Sequence, residues 1–253
     1  MNILLFEPQE VQDNLLVVSG RRARHIRKIL RLSPGDTMRV GAINGPVGTG
    51  VIQSIGSDHV AMTINLEPRA PRVVEPVDLV LAVPRPIMLR RVLAQAASMG
   101  VRRIFLTNAR RVEKSYFKAS ALSDEAIREA LRSGLEQAVD TVVPEVSIHH
   151  RFRPFAEDVL PAYAANTSHR LLAHPGASSP LWEVYPPQAQ KEPVILAIGP
   201  EGGWVDFEVE LLVGNGFLPF TIGSRILRVD TVVPALLAQV QLLRRLPSCR
   251  AGR

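Results

Sequence analysis

Only one cysteine, Cys249, occurs in the 253 residues. A lone thiol excludes an intramolecular disulfide and any multi-cysteine zinc or iron–sulfur centre. It fits a reducing, cytoplasmic compartment. Long apolar runs are also missing: none approaches the roughly 20 residues that cross a bilayer, so no membrane partner is expected. The opening MNILLFEPQEV carries no basic segment ahead of its apolar run, which Glu7, Pro8 and Glu10 end. That pattern argues against a secretory signal. The histidines (His25, His59, His149, His150, His169 and His174) show no Cys/His or His-x-x-x-His spacing, and no metal is expected. Neither a Gly-Lys-Ser/Thr phosphate loop nor a Gly-x-Ser-x-Gly nucleophile elbow occurs.

What is present suits a globular chain. Hydrophobic residues make up 46% and charged residues 21%. A chain of this length buries roughly 70–75% of its unfolded surface, enough for a core without staples. Thirty Lys+Arg against 24 Asp+Glu leave a net charge of +6, and its distribution matters more than its size. Residues 21–31, RRARHIRKILR, carry Arg21, Arg22, Arg24, Arg27, Lys28 and Arg31 with no acid. Residues 84–118 hold nine basic residues, among them Arg85 and Arg110, and the single acid Glu113. Residues 119–163 reverse the sign, with eight acids against four arginines. Two basic segments are what a nucleic-acid footprint needs, because phosphate neutralisation dominates affinity. For either segment alone, an ordinary solvated helix face is the alternative.

Two rhythms divide the chain. Up to about residue 70, short apolar runs (Ile3–Phe6, Thr37–Val40, Val47–Ile55, Val60–Leu66) alternate with turn clusters such as Pro34-Gly35-Asp36 and Asn44-Gly45-Pro46. These read as strands of a small barrel-like domain, with one short helix at 21–31. Pro68, Pro71 and Pro76 punctuate a linker. From residue 77 strands and helices alternate, the mark of α/β architecture. Val77–Val83 is an almost unbroken apolar strand, as a sheet covered on both faces requires. Helices are expected at 87–99, at 124–138 behind the capping Ser123, at 206–214 and at 231–246. Strands are expected at 104–107, 142–146, 170–173, 194–198 and 217–222.

Two strand-to-helix junctions stand out. Ile198-Gly199-Pro200-Glu201-Gly202-Gly203 leaves an apolar strand, and glycines there let a ligand approach the backbone. It is not a Gly-x-Gly-x-x-Gly dinucleotide fingerprint, and a plain turn is the alternative reading. Ile222-Gly223-Ser224-Arg225-Ile226-Leu227-Arg228-Val229-Asp230-Thr231 sits between the last strand and the last helix. Two arginines and an aspartate exceed what a turn needs. They read either as an ion pair that helps cap the helix, with Thr231 at the cap and Pro234 in the first turn, or as a site for an electron-rich substrate beside the glycine loop.

In this order and spacing, three stretches resemble the RsmE family of knotted, SPOUT-class RNA methyltransferases over nearly the whole chain. They are His25-Ile26-Arg27-Lys28-Ile29-Leu30-Arg31 with Pro34-Gly35-Asp36, then Gly199-Pro200-Glu201-Gly202-Gly203, then Gly223 to Thr231. The resemblance implies an N-terminal PUA-like β-barrel at 1–70 that helps bind RNA. It implies an α/β SPOUT domain at 71–253 whose chain forms a deep trefoil knot at about 170–246, one of the rare exceptions to unknotted folds. It also implies a homodimer that uses S-adenosyl-L-methionine to methylate N3 of a uridine in 16S ribosomal RNA, in the decoding region of the assembled 30S subunit.

Carried onto this sequence, the cofactor contacts fall at three junctions: Leu172-Ala173-His174, Ile198 to Gly203, and Ile222-Gly223-Ser224 with Ile226 and Leu227. Asp230 becomes the candidate acceptor of the N3 proton. Arg225 and Arg228 become candidates to stabilise charge on the uracil oxygens or to anchor a phosphate. Methylation of another base or of a ribose 2′-oxygen, and a non-catalytic RNA-binding assembly factor, are the competing readings. The chain departs from the family pattern at several places. Ser98-Met99-Gly100-Val101 replaces Glu-Leu-Gly-Val, and Asp140 follows Glu136-Gln137 where an arginine is usual. Ser224 stands for proline, Val205 for a Ser or Thr cap (with Asp206 as the expected substitute), and Asp230 for glutamate.

Overall fold

The computed structural model describes residues 2–67, 76–165, 167, 169–185 and 192–246. Cys249, Pro68 and Pro71 lie outside them. The chain forms two compact units, Met1–Val73 with Arg132–Val143, and Val74–Leu131 with Pro144–Arg253.

The first unit is built on a six-stranded sheet: β1 (Leu4–Phe6), β2 (Val11–Gln12), β3 (Leu15–Ser19), β4 (Thr37–Ala42), β5 (Val47–Ile55) and β6 (His59–Leu66), in the order β1-β4-β5-β6-β3-β2. Only β1 and β4 pair in parallel. Period-two burial sets its inner face: Leu16 and Val18 of β3 and Val60, Met62 and Ile64 of β6 are buried, while Leu15 and Val17 are exposed. Each such side chain contributes roughly 1.5–3 kcal/mol by leaving water. The β2–β3 hairpin was not expected from the sequence. Its turn residues Asp13 and Asn14 both adopt positive φ, 49° and 63°, as a two-residue hairpin turn requires. The basic stretch forms α1 (Gly20–His25), continued by a π-helical turn at Ile26–Leu30 that the left-handed Arg31 ends. Ala23 and Ile26 join the core.

The second unit carries an all-parallel sheet of β7 (Val77–Ala82), β8 (Arg103–Thr107), β9 (Glu145–His149), β10 (His169–Ala173), β11 (Val194–Ile198) and β12 (Leu218–Phe220), in the order β12-β10-β11-β7-β8-β9. Every residue of the central β7 and β11 is buried, so both faces are covered and near-continuous apolar runs were needed. The exception, Asp78 of β7, accepts two hydrogen bonds from Arg102 at 2.8 and 2.7 Å. The helices are α2 (Pro86–Ser98), α3 (Asp124–Ala138), α4 (Phe152–Pro154), α5 (Leu160–Ala164), α6 (Leu181–Val184), α7 (Asp206–Gly214) and α8 (Val229–Arg245). Leu89, Val92, Leu93 and Ala96 form the buried stripe of α2. That helix packs on α8, which buries Val233, Leu236, Leu237 and Val240. Ser123 Oγ accepts the Ala126 N–H at 3.2 Å and starts α3 as expected.

The last turns of α3 belong to the first unit. Arg132 pairs with Glu7 at 2.8 Å, and Asn2 donates to the Gln137 carbonyl at 2.9 Å. The strand expected at 142–146 begins instead at Glu145. Asp140 Oδ1 captures the Thr141 and Val142 N–H groups at 2.7 and 3.3 Å in a side-chain turn, and Pro144 offers no N–H to a ladder.

Among the described residues, no helix is long and apolar enough to cross a membrane.

Candidate active site

Three neighbouring strands, β12, β10 and β11, end on the same edge of the sheet, where open α/β sheets bind ligands. The chain leaving each one contributes a wall to a single cleft. Ala173 and His174 lie at the end of β10, Ile198 to Gly203 at the end of β11, and Thr221 to Gly223 with Arg225 to Leu227 follow β12. Val229, Val232 and Leu236 of α8 close its floor, and Trp204 lines one side. The cleft holds about 870 Å³ of empty space, its open mouth included. The glycine loop is a tight turn, with the Gly203 N–H donating to the Pro200 carbonyl at 2.8 Å. Gly203 sits at φ 75° and Gly223 at φ 142°, backbone regions that side chains with a Cβ rarely adopt. A Cβ on Gly199 would come within 3.1 Å of the Trp204 indole.

Beside this cleft lies a second one with less empty space, about 640 Å³ with its mouth included, lined by Arg85, Met88, Glu201, Arg228, Val229 and Asp230. Glu201 and Val229 line both. Glu201 is held by the Arg85 N–H, which donates to its Oε1 at 3.0 Å. Asp230 is nearly buried and faces two guanidinium groups. Arg91 Nη1 donates to its Oδ2 at 2.9 Å, and Arg228 Nε sits 3.4 Å from Oδ1. Oδ1 is buried and accepts no hydrogen bond within the described residues, with the Arg228 guanidinium as its charged neighbour.

The start of α8 differs from the expectation and explains this placement. Arg228, extended at ψ 152°, is the cap, and the helix begins at Val229. The Thr231 and Val232 N–H groups bond to the Arg228 carbonyl at 2.9 and 2.8 Å. Burying Val229 drives this earlier start. It puts Asp230 in the first turn, where a carboxylate is favoured, and leaves Pro234 inside the helix. Val205 caps α7 without a side-chain bond. Glu208, rather than Asp206, takes up the Val205 N–H, at 3.0 Å.

The residues nominated from the sequence distribute as follows. Ala173, His174, Ile198 to Gly203, Ile222, Gly223, Arg225, Ile226 and Leu227 meet in the large cleft. Arg228, Asp230 and Arg85 meet in the small one. Leu172 is fully buried in β10, and neither it nor Ser224 lines either cleft. Of the basic stretch, Arg21, Arg24, Lys28 and Arg31 are exposed. Arg22 is committed to Glu10 and the Leu5 carbonyl, and Arg27 to the Ser57 carbonyl. Arg110 exposes its side chain while its N–H is bound by Glu208. Sequence reading missed the pairing of Arg91 with Asp230, since no local signal couples residues on separate helices. It also missed Trp204, which Gly199 makes room for.

A parallel α/β sheet whose carboxyl-end loops enclose a glycine-lined cleft is the arrangement of a protein that binds a small-molecule ligand at its strand ends. Residues 71–241 match the family model described as the RNA methyltransferase domain. Curated relatives named ribosomal RNA small subunit methyltransferase E include one from Treponema pallidum, 31% identical over 95% of this chain and 90% of its own. Another, from Synechocystis sp., is 26% identical over 95% of this chain and 77% of its own. This chain belongs to the ribosomal RNA small subunit methyltransferase E family. Solved structures share the fold. A Legionella pneumophila protein solved with the bound cofactor SAM has TM-score 0.78 and 24% identity, covering 95% of this chain and 97% of its own. A Neisseria gonorrhoeae ribosomal RNA small subunit methyltransferase E bound to S-adenosyl methionine has TM-score 0.76 and 20% identity, covering 96% and 98%.

Proposed function

We propose that the protein transfers a methyl group from S-adenosyl-L-methionine to N3 of a uridine in 16S ribosomal RNA, at the decoding region of the assembled 30S subunit in the cytoplasm. The observation that carries this reading is the meeting of the two clefts at Glu201 and Val229. A donor site and an acceptor site that share a wall place their occupants within reach of one another.

The large cleft suits the cofactor. Its apolar lining of Ile198, Ile222, Ile226, Leu227 and Leu236 matches a flat adenosyl group. Gly223, with open space at its Cβ position, leaves room for it, and Arg225 at the rim matches its carboxylate. Bound there, adenosylmethionine supplies a methyl group already activated on sulfur.

The remaining tasks fall to side chains of the small cleft. Asp230 Oδ1 takes the proton that N3 must release as the nitrogen–methyl bond forms. Arg228 stabilises the negative charge gathered on the uracil oxygens during that release. Arg91 holds the carboxylate in place, and Arg85 offers a cation to a flanking phosphate. Among the described residues no group of three His, Cys, Asp or Glu is placed to hold a metal ion, and the reading assigns no step to one.

The six-stranded sheet of the first unit supports its reading as a PUA-like barrel that binds RNA through the exposed Arg21, Arg24, Lys28 and Arg31. In the second unit β12 lies outside β10 although β11 intervenes in the chain. That order supports a knotted segment from about residue 170 to 246. The exposed Ile226, 83% accessible at the cleft rim, supports a homodimer in which a second copy covers it.

The test is methyl transfer from labelled adenosylmethionine to unmodified 30S subunits, followed by nucleoside analysis. N3-methyluridine is the expected product, and label on a ribose would favour 2′-O-methylation instead.

A further inference from the structure

Glu208 is a buried carboxylate, 3% exposed, that lines neither cleft. Its two oxygens serve two different loops. Oε2 accepts the Val205 N–H at the end of the glycine loop at 3.0 Å. Oε1 accepts the Arg110 N–H, in the loop that follows β8, at 2.6 Å.

A second tie joins the same pair of loops. Arg111 Nη1 donates to the Gly202 carbonyl at 2.6 Å. A Cβ on Gly202 would lie 3.1 Å from both Cβ and Cδ of Arg111, so the arginine stem lies flat against the glycine. Behind these contacts the β8 loop is itself anchored. The Asn108 N–H and Nδ2 donate to the carbonyls of His149 and His150, each at 3.0 Å, and Asn108 Oδ1 accepts the Ala109 N–H at 2.9 Å.

A loop of this composition has little to hold it. Gly202 and Gly203 have no side chains to pack, and glycine loses the most backbone freedom on ordering. Val205 has no oxygen with which to cap α7. Beyond the Gly203–Pro200 turn bond and the Arg85 tie to Glu201, support comes from Arg111 of the anchored β8 loop and from Glu208 of α7, which the Arg110 N–H ties to that same loop.

We infer that Arg111 and Glu208 are positioning residues that hold the glycine loop in its cofactor-receiving form, so that the ordering cost is met before the ligand arrives. This rests on the reading of the large cleft as the adenosylmethionine site. Neither residue lines that cleft, so their effect passes through Gly202 and Val205.

Titration of adenosylmethionine into the full-length wild type, Arg111→Ala, Arg111→Lys and Glu208→Gln tests it, alongside thermal unfolding without ligand and steady-state kinetics. Because Arg111 is exposed, Arg111→Ala is expected to melt with the wild type. It should bind cofactor about tenfold more weakly, with kcat at saturating cofactor within about twofold. Arg111→Lys, whose ammonium can still reach the Gly202 carbonyl, should recover most of the affinity. Glu208→Gln sets an amide N–H against one of the two donors and should weaken binding in the same direction. Arg111→Ala binding as tightly as the wild type overturns the inference. So does a weakening that lysine does not recover. A wild type that binds no adenosylmethionine overturns the methyltransferase reading beneath it, which is a distinct result.

Discussion

Arg91 Nη1 stands 2.9 Å from Asp230 Oδ2, joining α2 to the first turn of α8 across 139 positions of sequence. The bond leaves Oδ1 without a hydrogen-bond partner within the described residues. Asp230→Asn keeps the size and removes the charge. Single-turnover methyl transfer should fall about 100-fold, while adenosylmethionine binding stays within about twofold. Activity that survives Asp230→Asn across pH 6–9 would remove Asp230 from the chemistry.

The two arginines of the last junction should separate kinetically. Arg225 lines the large cleft and Arg228 the small one. Arg225→Ala is expected to raise KM for adenosylmethionine severalfold with kcat nearly unchanged. Arg228→Ala is expected to lower kcat by about 10- to 100-fold with that KM nearly unchanged. Steady-state kinetics with cofactor varied at saturating RNA reads both.

Gly203→Ala forces a side chain into φ 75°. It should cost about 1 kcal/mol, a drop of roughly 2–4 °C in Tm for a chain of this size. Cofactor binding should weaken with it. Gly214, with open space around its Cβ position, offers the control. Thermal unfolding with and without adenosylmethionine makes the comparison.

His149 gives the second unit a pH dependence. Its ring packs at a tilt of 36–37° against Phe105 and Phe155, and Ser147 Oγ lies 2.9 Å from its Nε2. Burial, with a smaller contribution from His150, lowers its pKa below the ordinary 6.5. The neutral ring is favoured in the fold, so its contribution is complete above pH 6.5 and is lost as pH falls through the lowered folded value. His149→Phe should therefore flatten the decline in stability below pH 6.5, as read by denaturant unfolding from pH 7.5 to 5. An unchanged profile would assign that decline to other groups.

The basic stretch should divide into RNA-facing and structural cations. Replacing the exposed Arg24, Lys28 and Arg31 together by alanine should lower RNA affinity and reduce the slope of log K against log[salt] by about 2, at roughly 0.7 for each phosphate no longer neutralised. Arg22, held against Glu10 with its side chain 16% exposed, should instead lower Tm when replaced by alanine and leave that slope unchanged. Filter binding in graded salt distinguishes the two.

Much of this was legible because local chemistry dictated it. The near-continuous apolar runs of β7 and β11 read as doubly covered strands, and the glycine loop after β11 with the arginine- and aspartate-bearing junction after β12 pointed to a ligand edge. Ser123 marked the start of α3. The β2–β3 hairpin escaped notice because Asp13-Asn14 is a weaker turn signal than Asn-Gly. The start of α8 was misplaced because Thr231 is a better cap than Arg228 by side chain, whereas the burial of Val229 decided the matter. Packing of the end of α3 with the first unit was invisible, since one amphipathic helix gives a single periodic pattern whichever core its two halves join. Pairs such as Arg91–Asp230 and Glu208–Arg110 arise only when the sheet brings distant strand ends together.

The most direct measurement takes small-subunit ribosomal RNA from cells with and without this gene and maps its methylated nucleosides by mass spectrometry. Loss of one N3-methyluridine in the decoding region, restored by the wild type but not by Arg228→Ala, is the predicted result. An unchanged set of N3-methyluridines, or a mark lost only from a ribose 2′-oxygen, would contradict the proposed reaction.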